Sequence, residues 1–158
     1  MKALRYAFIL LCLSFMANTA SAQLMVGGGL GYGTEAEQIG IQGRVIYGFT
    51  ENIRGEADFT YYFVEDPLNY SEFNINGNYI FSNTGTTLVY ALAGLNFSTV
   101  GFDTGLGVNA SATETGINLG AGANFAVGGG GTMIFGEARY VLSDFDQLVL
   151  AAGILFGL

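Results

Sequence analysis

The chain has 158 residues, enough for one domain, and 51% of them are apolar while only 11% are charged. Thirteen acidic residues outnumber five basic ones, a balance that repels nucleic acid and excludes it as a partner. The chain has no histidine and one cysteine, so Ser-His and Asp-His catalysis is excluded, and a transition-metal catalytic site is not expected. We therefore predict no enzyme and no cofactor.

The N-terminal segment has the pattern of an export signal. Lys2 and Arg5 precede an uncharged apolar run at 6–15, and an Ala-Ser-Ala motif then ends at residue 22. The apolar run is too short to cross a hydrocarbon layer of roughly 30 Å as a helix, which disfavours a membrane anchor. We predict a signal peptide at 1–22, which removes the only cysteine, and a mature domain at 23–158.

Period-two alternation of apolar and polar residues fills the rest of the chain. No apolar stretch reaches eighteen residues, so helical membrane spans are excluded, whereas each alternating run has the length of a tilted strand that crosses a bilayer. The pattern predicts an all-β fold, an eight-stranded antiparallel up-and-down transmembrane β-barrel. In the fifth run both faces are apolar or small, so its register is left open. The runs are 24–33, 39–50, 53–64, 72–82, 87–97, 115–127, 132–143 and 147–158.

Alternation alone does not tell which face of the barrel is outside, because a soluble barrel has the same period. The positions of the aromatic residues indicate which face is outside. If the first strand starts in the periplasm, the rings of the apolar face sort to both ends of the barrel and leave an aliphatic belt between them, as a lipid-facing surface requires. The periplasmic girdle is Tyr47, Phe49, Tyr79, Phe81, Tyr90, Phe125 and Phe156, and the outer girdle is Tyr32, Tyr61, Phe63, Phe73 and Tyr140.

The connections between the runs are of two kinds. Those at 51–52, 83–85 and 128–131 are short and rich in Asn or Gly, as expected at the periplasmic end. The others, at 34–38, 65–71, 98–114 and 143–146, are acidic or longer, as expected outside. Of these only 98–114 is long enough to present a binding surface, and no sheet standing out of the barrel is expected.

The outer loops carry carboxylates and no basic residue. The first interpretation is that these are solvated loop tips. The alternative is that these carboxylates bind Ca²⁺ or Mg²⁺, which would bridge to lipopolysaccharide phosphates. The residues concerned are Glu35, Glu37, Glu65, Asp66, Asp103, Glu114, Asp144 and Asp146.

Six charged residues fall on the polar, lumen-facing side of the second, third and seventh runs. A lumen of eight strands is only just wide enough for side chains to fill, and buried charges persist there only when they are paired. We expect an ion-pair network that plugs the lumen and fixes strand register, with a gate or a paired-carboxylate site as the alternative. The six residues are Arg44, Arg54, Glu56, Asp58, Glu137 and Arg139.

Small residues dominate the lumen-facing side of the first, sixth and eighth runs. One interpretation is that they make room for the larger side chains opposite. The other is a narrow water-filled path, and the sequence leaves both open. The residues are Gly27, Gly29, Gly31, Gly120, Gly122, Ala151, Gly153 and Gly157.

The pattern resembles the small outer-membrane barrel family that includes the OmpA transmembrane domain, OmpX and opacity-type proteins. The most specific pieces are the segment 136–140 and the terminal segment 153–158, in which Gly153, Phe156 and Leu158 resemble the signal read by the barrel-assembly machinery. The resemblance implies an outer-membrane location and, as partners, lipopolysaccharide, the assembly machinery and periplasmic chaperones.

Two further functions stand beside a structural role in the cell envelope. A narrow, porin-like channel for small solutes would need an open lumen. A recognition module would bind a host or envelope protein through the 98–114 loop. The sequence names no ligand, no specific partner and no oligomeric state.

Overall fold

The computed structural model describes residues 24–103, 109–128, 131–144 and 146–158. The predicted signal peptide at 1–22 lies outside these residues, as do parts of the segments 98–114 and 128–131. Every regular element in the described residues is a strand. Among these residues there is no helix with the length and apolar character to cross a membrane.

Eight strands form one closed barrel, in which each strand pairs antiparallel with its neighbours along the chain and the last closes on the first. The predicted up-and-down barrel is confirmed. The strands are β1 (Leu24–Gly33), β2 (Gln38–Gly48), β3 (Ile53–Tyr62), β4 (Leu68–Asn83), β5 (Thr87–Asp103), β6 (Asn109–Ala126), β7 (Thr132–Leu142) and β8 (Gln147–Gly157).

The outer face of the sheet is apolar and the inner face is largely polar, as the aromatic pattern predicts. On β2 the outward side chain of Ile41 is 56% exposed, whereas the inward side chain of Arg44 is 2% exposed. The same alternation runs along β3, where Phe59 is exposed and Asp58 is buried. An apolar exterior around a polar interior suits a surrounding of hydrocarbon, since a water-soluble barrel needs the opposite arrangement.

The two ends of the barrel carry different connections. At one end, called the turn end here, the strands are joined by residues 49–52, 84–86 and 127–131. At Gly85 the φ angle is +82°, a conformation that favours glycine, and the Asn83 side chain accepts a hydrogen bond from its N–H at 2.9 Å. The opposite end, called the loop end, has connections at 34–37, 63–67, 104–108 and 143–146.

Three neighbouring strands are longer than the sequence predicts. β4 begins at Leu68, β5 continues to Asp103 and β6 starts at Asn109. The prediction of a loop at 98–114 is therefore wrong, because most of this segment is a β-hairpin. The expectation that no sheet stands out of the barrel is wrong for the same reason. Outside the bilayer the apolar face is no longer selected to point outward, so the outward apolar positions used to find the strands do not continue there.

The fifth strand has a defined register. Leu88, Tyr90 and Leu92 point into the lumen, and Val89 and Ala91 point outward. The prediction that Tyr90 belongs to the periplasmic girdle is wrong, because its side chain is completely buried. Its partner on β6 is Gly122, which leaves the space that the ring occupies.

Candidate functional site

A bidentate ion pair crosses the centre of the lumen. The guanidinium of Arg44 on β2 donates to both carboxylate oxygens of Glu137 on β7, at 2.9 and 3.0 Å. Glu56 of β3 lies 3.4 Å from the same guanidinium. The side chains of all three residues are at most 1% exposed. A bidentate geometry is the strongest form of this pair, and it links two strands that are separated by β1 and β8 in the barrel.

A second arginine continues the network toward the loop end. Arg139 on β7 donates to Asp58 at 3.1 Å and lies 3.6 Å from Glu137. Its other terminal nitrogen lies 3.7 Å from Glu72 on β4. The ion pairs therefore form one connected chain of buried charges through the lumen. Because each charge has at least one partner, the desolvation cost of the group is offset.

Glu72 is a member of the network that the sequence analysis missed. Its carboxylate accepts hydrogen bonds from Tyr70 at 2.7 Å, from Tyr62 at 3.3 Å and from the amide of Gln147. The side chains of Tyr62 and Tyr70 are stacked, with ring centroids 4.8 Å apart. Glu72 has the same parity as Asn74, which the alternation places inward, so the signal was present at the start of the fourth predicted run.

Amide side chains connect the carboxylates to the strands around them. Asn78 donates to Glu56 at 2.9 Å, and both Gln42 and Asn74 donate to Asp58 at 3.0 and 2.9 Å. Farther along the wall, Asn118 donates to the side-chain oxygens of Asn74 and Asn76. At Asp58 these neutral donors satisfy the carboxylate oxygen that Arg139 does not reach, whereas Asn78 shares one Glu56 oxygen with Arg44. Such added donors are what a buried polar network needs to be stable.

Of the six predicted lumen residues, five take part in the ion pairs described above. Arg54, the sixth, lies over the ring of Tyr90 with its guanidinium carbon 5.1 Å from the ring centroid. Arg44 makes the equivalent contact with Phe135, at 4.2 Å. In a desolvated site such cation–π contacts attract as well as fill space.

Tyr90 joins this aromatic layer to the charges, because its hydroxyl donates to Glu137 at 2.7 Å. We expect Tyr90→Phe to lower the free energy of unfolding by about 2 kcal/mol, the range of a hydrogen bond to a charged group. Urea unfolding in detergent micelles, followed by far-UV circular dichroism, measures this change. The exposed ring of Tyr140 supplies the control, and Tyr140→Phe is expected to change stability by less than about 0.5 kcal/mol. Equal effects of the two substitutions would contradict the assignment.

The turn end of the lumen contains two apolar clusters. One buried cluster contains Met25, Ile46, Phe135 and Leu155, and a second contains Ile80, Tyr90 and Leu92. The sequence analysis did not predict these clusters, because it took lumen-facing positions to be polar or small. Ile46, Ile80 and Leu92 are apolar residues that point inward. The polar network and the apolar layer together fill the lumen from its middle to its turn end.

Some of the inward glycines face large side chains. A methyl group added at Gly122 would collide with the Tyr90 hydroxyl, and one added at Gly153 would lie 2.7 Å from the ring of Phe135. At Gly31 the nearest atom would be the Thr60 methyl, at 3.5 Å. Of the two interpretations left open, these contacts favour glycines that make room for side chains over a water-filled path.

Nine aromatic residues of the predicted girdles lie on the outer face. Tyr47 is half-buried against Phe49, with ring centroids 5.1 Å apart, and the other eight are exposed. Five rings lie toward the turn end and four toward the loop end. The first group is Tyr47, Phe49, Tyr79, Phe81 and Phe156, and the second is Tyr61, Phe63, Phe73 and Tyr140.

The remaining predicted site residues lie apart from the network. Gly153 faces the lumen on β8, Phe156 points outward and Leu158 follows the end of the strand with 78% exposure. The loop carboxylates do not assemble: in the ranges that the structure describes, no three acidic side chains come close enough to hold a metal ion. The Ca²⁺ or Mg²⁺ hypothesis therefore finds no built site there. Three separate connections carry six of these carboxylates, which are Glu35, Glu37, Glu65, Asp66, Asp144 and Asp146.

The fold is similar to that of several solved outer-membrane proteins. The N-terminal β-barrel domain of Pseudomonas aeruginosa OprF superposes with a TM-score of 0.71 at 14% identity, over 86% of this chain and 97% of that one. Ail, the attachment invasion locus protein of Yersinia pestis, gives 0.59 at 18% identity, over 85% and 97%. Neisserial surface protein A gives 0.60 at 18% identity, over 85% and 94%. No protein-family model and no curated protein matches the sequence.

The closed barrel, its apolar exterior and these likenesses define an outer-membrane β-barrel of the small, eight-stranded class. The resemblance stated from the sequence is confirmed at the level of the fold. At identities this low the likeness extends to the fold alone, so any role must be argued from the residues of this chain.

Proposed function

We propose that the protein is a non-enzymatic outer-membrane barrel with a closed lumen, whose role lies in envelope structure and in interactions at the cell surface. The observation that carries the proposal is the connected network around Arg44, Glu137, Arg139 and Asp58, whose side chains are at most 1% exposed. An ion that entered the lumen would have to break several charge-assisted hydrogen bonds at once. Toward the turn end, the two apolar clusters around Phe135 and Tyr90 offer few ligands to replace its hydration shell.

The competing function is a narrow channel for small solutes. The polar wall formed by Asn74, Asn76 and Asn118 supports it, since a path for ions needs polar groups. It would require the ion pairs to rearrange during conduction.

Planar-bilayer recordings separate the two functions. We expect the refolded mature protein to show no stable unit conductance, because the lumen is filled. The matched variant is Asp58→Ser combined with Arg139→Ser, which removes one charge of each sign and two large side chains. This variant is expected to conduct. A stable unit conductance from the unchanged protein would overturn the closed-lumen proposal in favour of the channel.

A further inference from the structure

The lumen opens at the loop end into a one-sided space. Three strands form its wall, because β5 pairs with β4 as far as Leu68 and with β6 as far as Asn109. The other strands stop earlier, and β6 pairs with β7 only as far as Ile117. We call the space between this wall and the facing connections the loop-end mouth. The facing connections are 34–37, 63–67 and 143–146.

The floor of the loop-end mouth consists of polar side chains around Glu72. Gln147, the inward-facing residue of β8 nearest the loop end, donates to the Tyr70 hydroxyl at 2.8 Å and to the Glu72 carboxylate. Its own acceptor atom, Oε1, has no hydrogen-bond donor in the described part of the chain, although the residue is only 3% exposed. A Cβ at Gly33 would lie 2.7 Å from this atom. Because a buried acceptor without a donor is costly, Oε1 is suited to a ligand that donates an N–H.

The buried network has more carboxylates than arginines. Seven charged side chains are buried in the described residues, three arginines and four carboxylates, because Glu72 joins the six that the sequence predicts. Arg139 lies 3.7 Å from Glu72, but it also lies 3.1 Å from Asp58 and 3.6 Å from Glu137. One negative charge is therefore left without a full counter-charge, and Glu72 is the carboxylate of the network nearest the loop-end mouth.

A second carboxylate faces the loop-end mouth from its wall. Glu114 on β6 has the inward parity of Gly116 and Asn118 and is itself partly buried. It lies in one row with Ser98 and Glu72 across the three strands. Neighbouring strands are about 4.8 Å apart, so the Cα atoms of the two glutamates are separated by roughly 10 Å. No three acidic side chains in the described ranges are close enough to hold a metal ion.

Apolar side chains line the wall beyond this row. Leu68 and Val100 are each 45% exposed and Phe102 is 43% exposed, so these side chains are open to a ligand. A hydrocarbon chain that lay along them would remove apolar surface of both partners from water. The inward positions, read across the three strands, are Tyr70, Val100 and Ala112, followed by Leu68, Phe102 and Ala110.

The rim of the loop-end mouth is acidic. Beyond the predicted signal peptide the chain has three basic residues, all arginines, and all three are buried in the lumen. A cleft lined by charges of one sign raises the local concentration of counter-ions and speeds their binding. The loop-end mouth therefore attracts cations and repels anions. The exposed rim carboxylates are Glu35, Glu37, Glu65, Asp66, Asp144 and Asp146.

We propose that the loop-end mouth binds a linear organic dication, an α,ω-diaminoalkane whose chain of about five carbons suits the strand spacing between Glu72 and Glu114. One ammonium group donates to Oε1 of Gln147 at the floor, next to the charge of Glu72. The other pairs with Glu114, and the methylenes between them lie against Val100. The inference goes beyond the proposed role of the barrel and does not depend on whether the lumen conducts.

Three other kinds of ligand fit the loop-end mouth less well. A small inorganic ion cannot contact both glutamates at once, because they lie two strands apart. A neutral apolar molecule would cover Val100 and Phe102 but would leave both charges uncompensated. An anion is repelled by the acidic rim. The two ammonium groups and the hydrocarbon chain of a diaminoalkane match the charges, the spacing and the apolar wall together.

The test is isothermal titration of 1,5-diaminopentane into the mature protein in nanodiscs of zwitterionic lipid, with empty nanodiscs as the blank. One saturable site per barrel is expected. The monoamine 1-aminopentane and the neutral pentane-1,5-diol are expected to bind at least about tenfold more weakly. Equal binding of either analogue would overturn the proposal, as would the absence of saturable binding. Complete displacement of the diamine by an equal concentration of Mg²⁺ would also overturn it, because it would indicate only a diffuse acidic surface.

Matched charge variants locate the binding. Glu114→Gln keeps the size of the side chain and removes the wall charge, so binding of the diamine is expected to fall about tenfold. Glu35→Gln removes the same charge from the exposed rim, where salt screens it, and is expected to change binding by less than about twofold. Gln147→Leu removes the floor acceptor and is expected to weaken binding about tenfold as well. Equal effects of the two glutamate variants would contradict a defined site.

A pair of lysine variants keeps the test decisive if Gln147→Leu does not fold, as judged by heat-modifiable gel mobility. Val100→Lys places a positive charge inside the loop-end mouth, and it is expected to abolish binding of the diamine. Thr99→Lys places the same charge on the outward face of the same strand and is expected to weaken binding by less than about threefold. Unchanged binding by Val100→Lys would overturn the proposal.

Discussion

Replacing Glu137 by alanine is expected to lower the free energy of unfolding by about 3–5 kcal/mol. The substitution removes both acceptors of the bidentate pair and leaves Arg44 in the lumen with Glu56 at 3.4 Å as its remaining carboxylate. It also removes the acceptor of the Tyr90 hydroxyl. Urea unfolding in micelles, read by circular dichroism because the chain has no tryptophan, measures the loss.

A double-mutant cycle tests whether this loss comes from the pair. Arg44→Ala is expected to destabilise the barrel as well, because Glu137 then loses its two shortest arginine contacts. The double variant is expected to lose less than the two single losses taken together, since neither charge remains unpaired by the other. The exposed Glu65 provides the control, and Glu65→Ala is expected to leave stability unchanged within about 0.5 kcal/mol. Additive losses in the cycle would show that the two residues act independently.

The barrel and its polarity were predictable from sequence because the bilayer enforces them on every strand. Wherever hydrocarbon surrounds the sheet, outward positions such as Ile41 and Ile75 must be apolar, and the inward positions between them are free to be polar. The same rule places Arg44 and Glu137 inside. It does not tell which carboxylate meets which arginine, because that depends on the stagger between β2 and β7 across the lumen.

The lack of polar residues around Tyr90 explains why its side chain was assigned to the wrong face. Its neighbours Leu88, Val89 and Leu92 are all apolar, so the parity of β5 carries no polarity signal. The register with β6 decides the matter, since Tyr90 lies opposite Gly122. A pairing across strands is a tertiary fact, and alternation along one strand does not contain it.

The extensions of β4, β5 and β6 beyond the predicted runs were missed because the apolar residues change to the other face of the sheet where these extensions begin. Between Phe97 and Val100 on β5 the apolar side chains move from the outward parity to the inward one. A search for apolar residues at every outward position ends at Phe97, so the residues after it are assigned to a loop. A search that allowed the apolar residues to change from outward to inward positions at the bilayer boundary would have predicted the longer hairpin.

The closing seam of the barrel is a place where a single methyl group is expected to have a large steric effect. β1 and β8 pair with Gly29 directly opposite Gly153, so neither strand has a side chain at this point. A Cβ added at Gly153 would lie 2.6 Å from the Gly29 Cα and would collide with the carbonyl oxygen of Gly28. These are backbone atoms, which have no alternative rotamer to adopt. The seam would have to open or shift its register.

Gly153→Ala is therefore expected to reduce stability by about 3 kcal/mol, the upper part of the range for overpacking, and to lower the yield of folded barrel. The β1–β8 pairing joins the first and last strands of the barrel, so it has the largest loop-closure cost of the strand pairings. Poor packing in this pairing is therefore expected to lower the yield of closed barrel the most. The heat-modifiable fraction in gels after refolding into micelles measures the yield, and urea unfolding measures the stability of what has folded.

Gly43 is the matched control, since it lies on β2 and an added Cβ there has no heavy atom within 4 Å. Gly43→Ala is expected to fold with unchanged or slightly higher stability, by about 0.4–1 kcal/mol, because alanine restricts the unfolded chain more than glycine does. A difference between the two alanine variants isolates the seam from any general effect of glycine replacement in a strand. If Gly153→Ala folds as well as Gly43→Ala does, the close approach of β1 and β8 does not limit closure of the barrel.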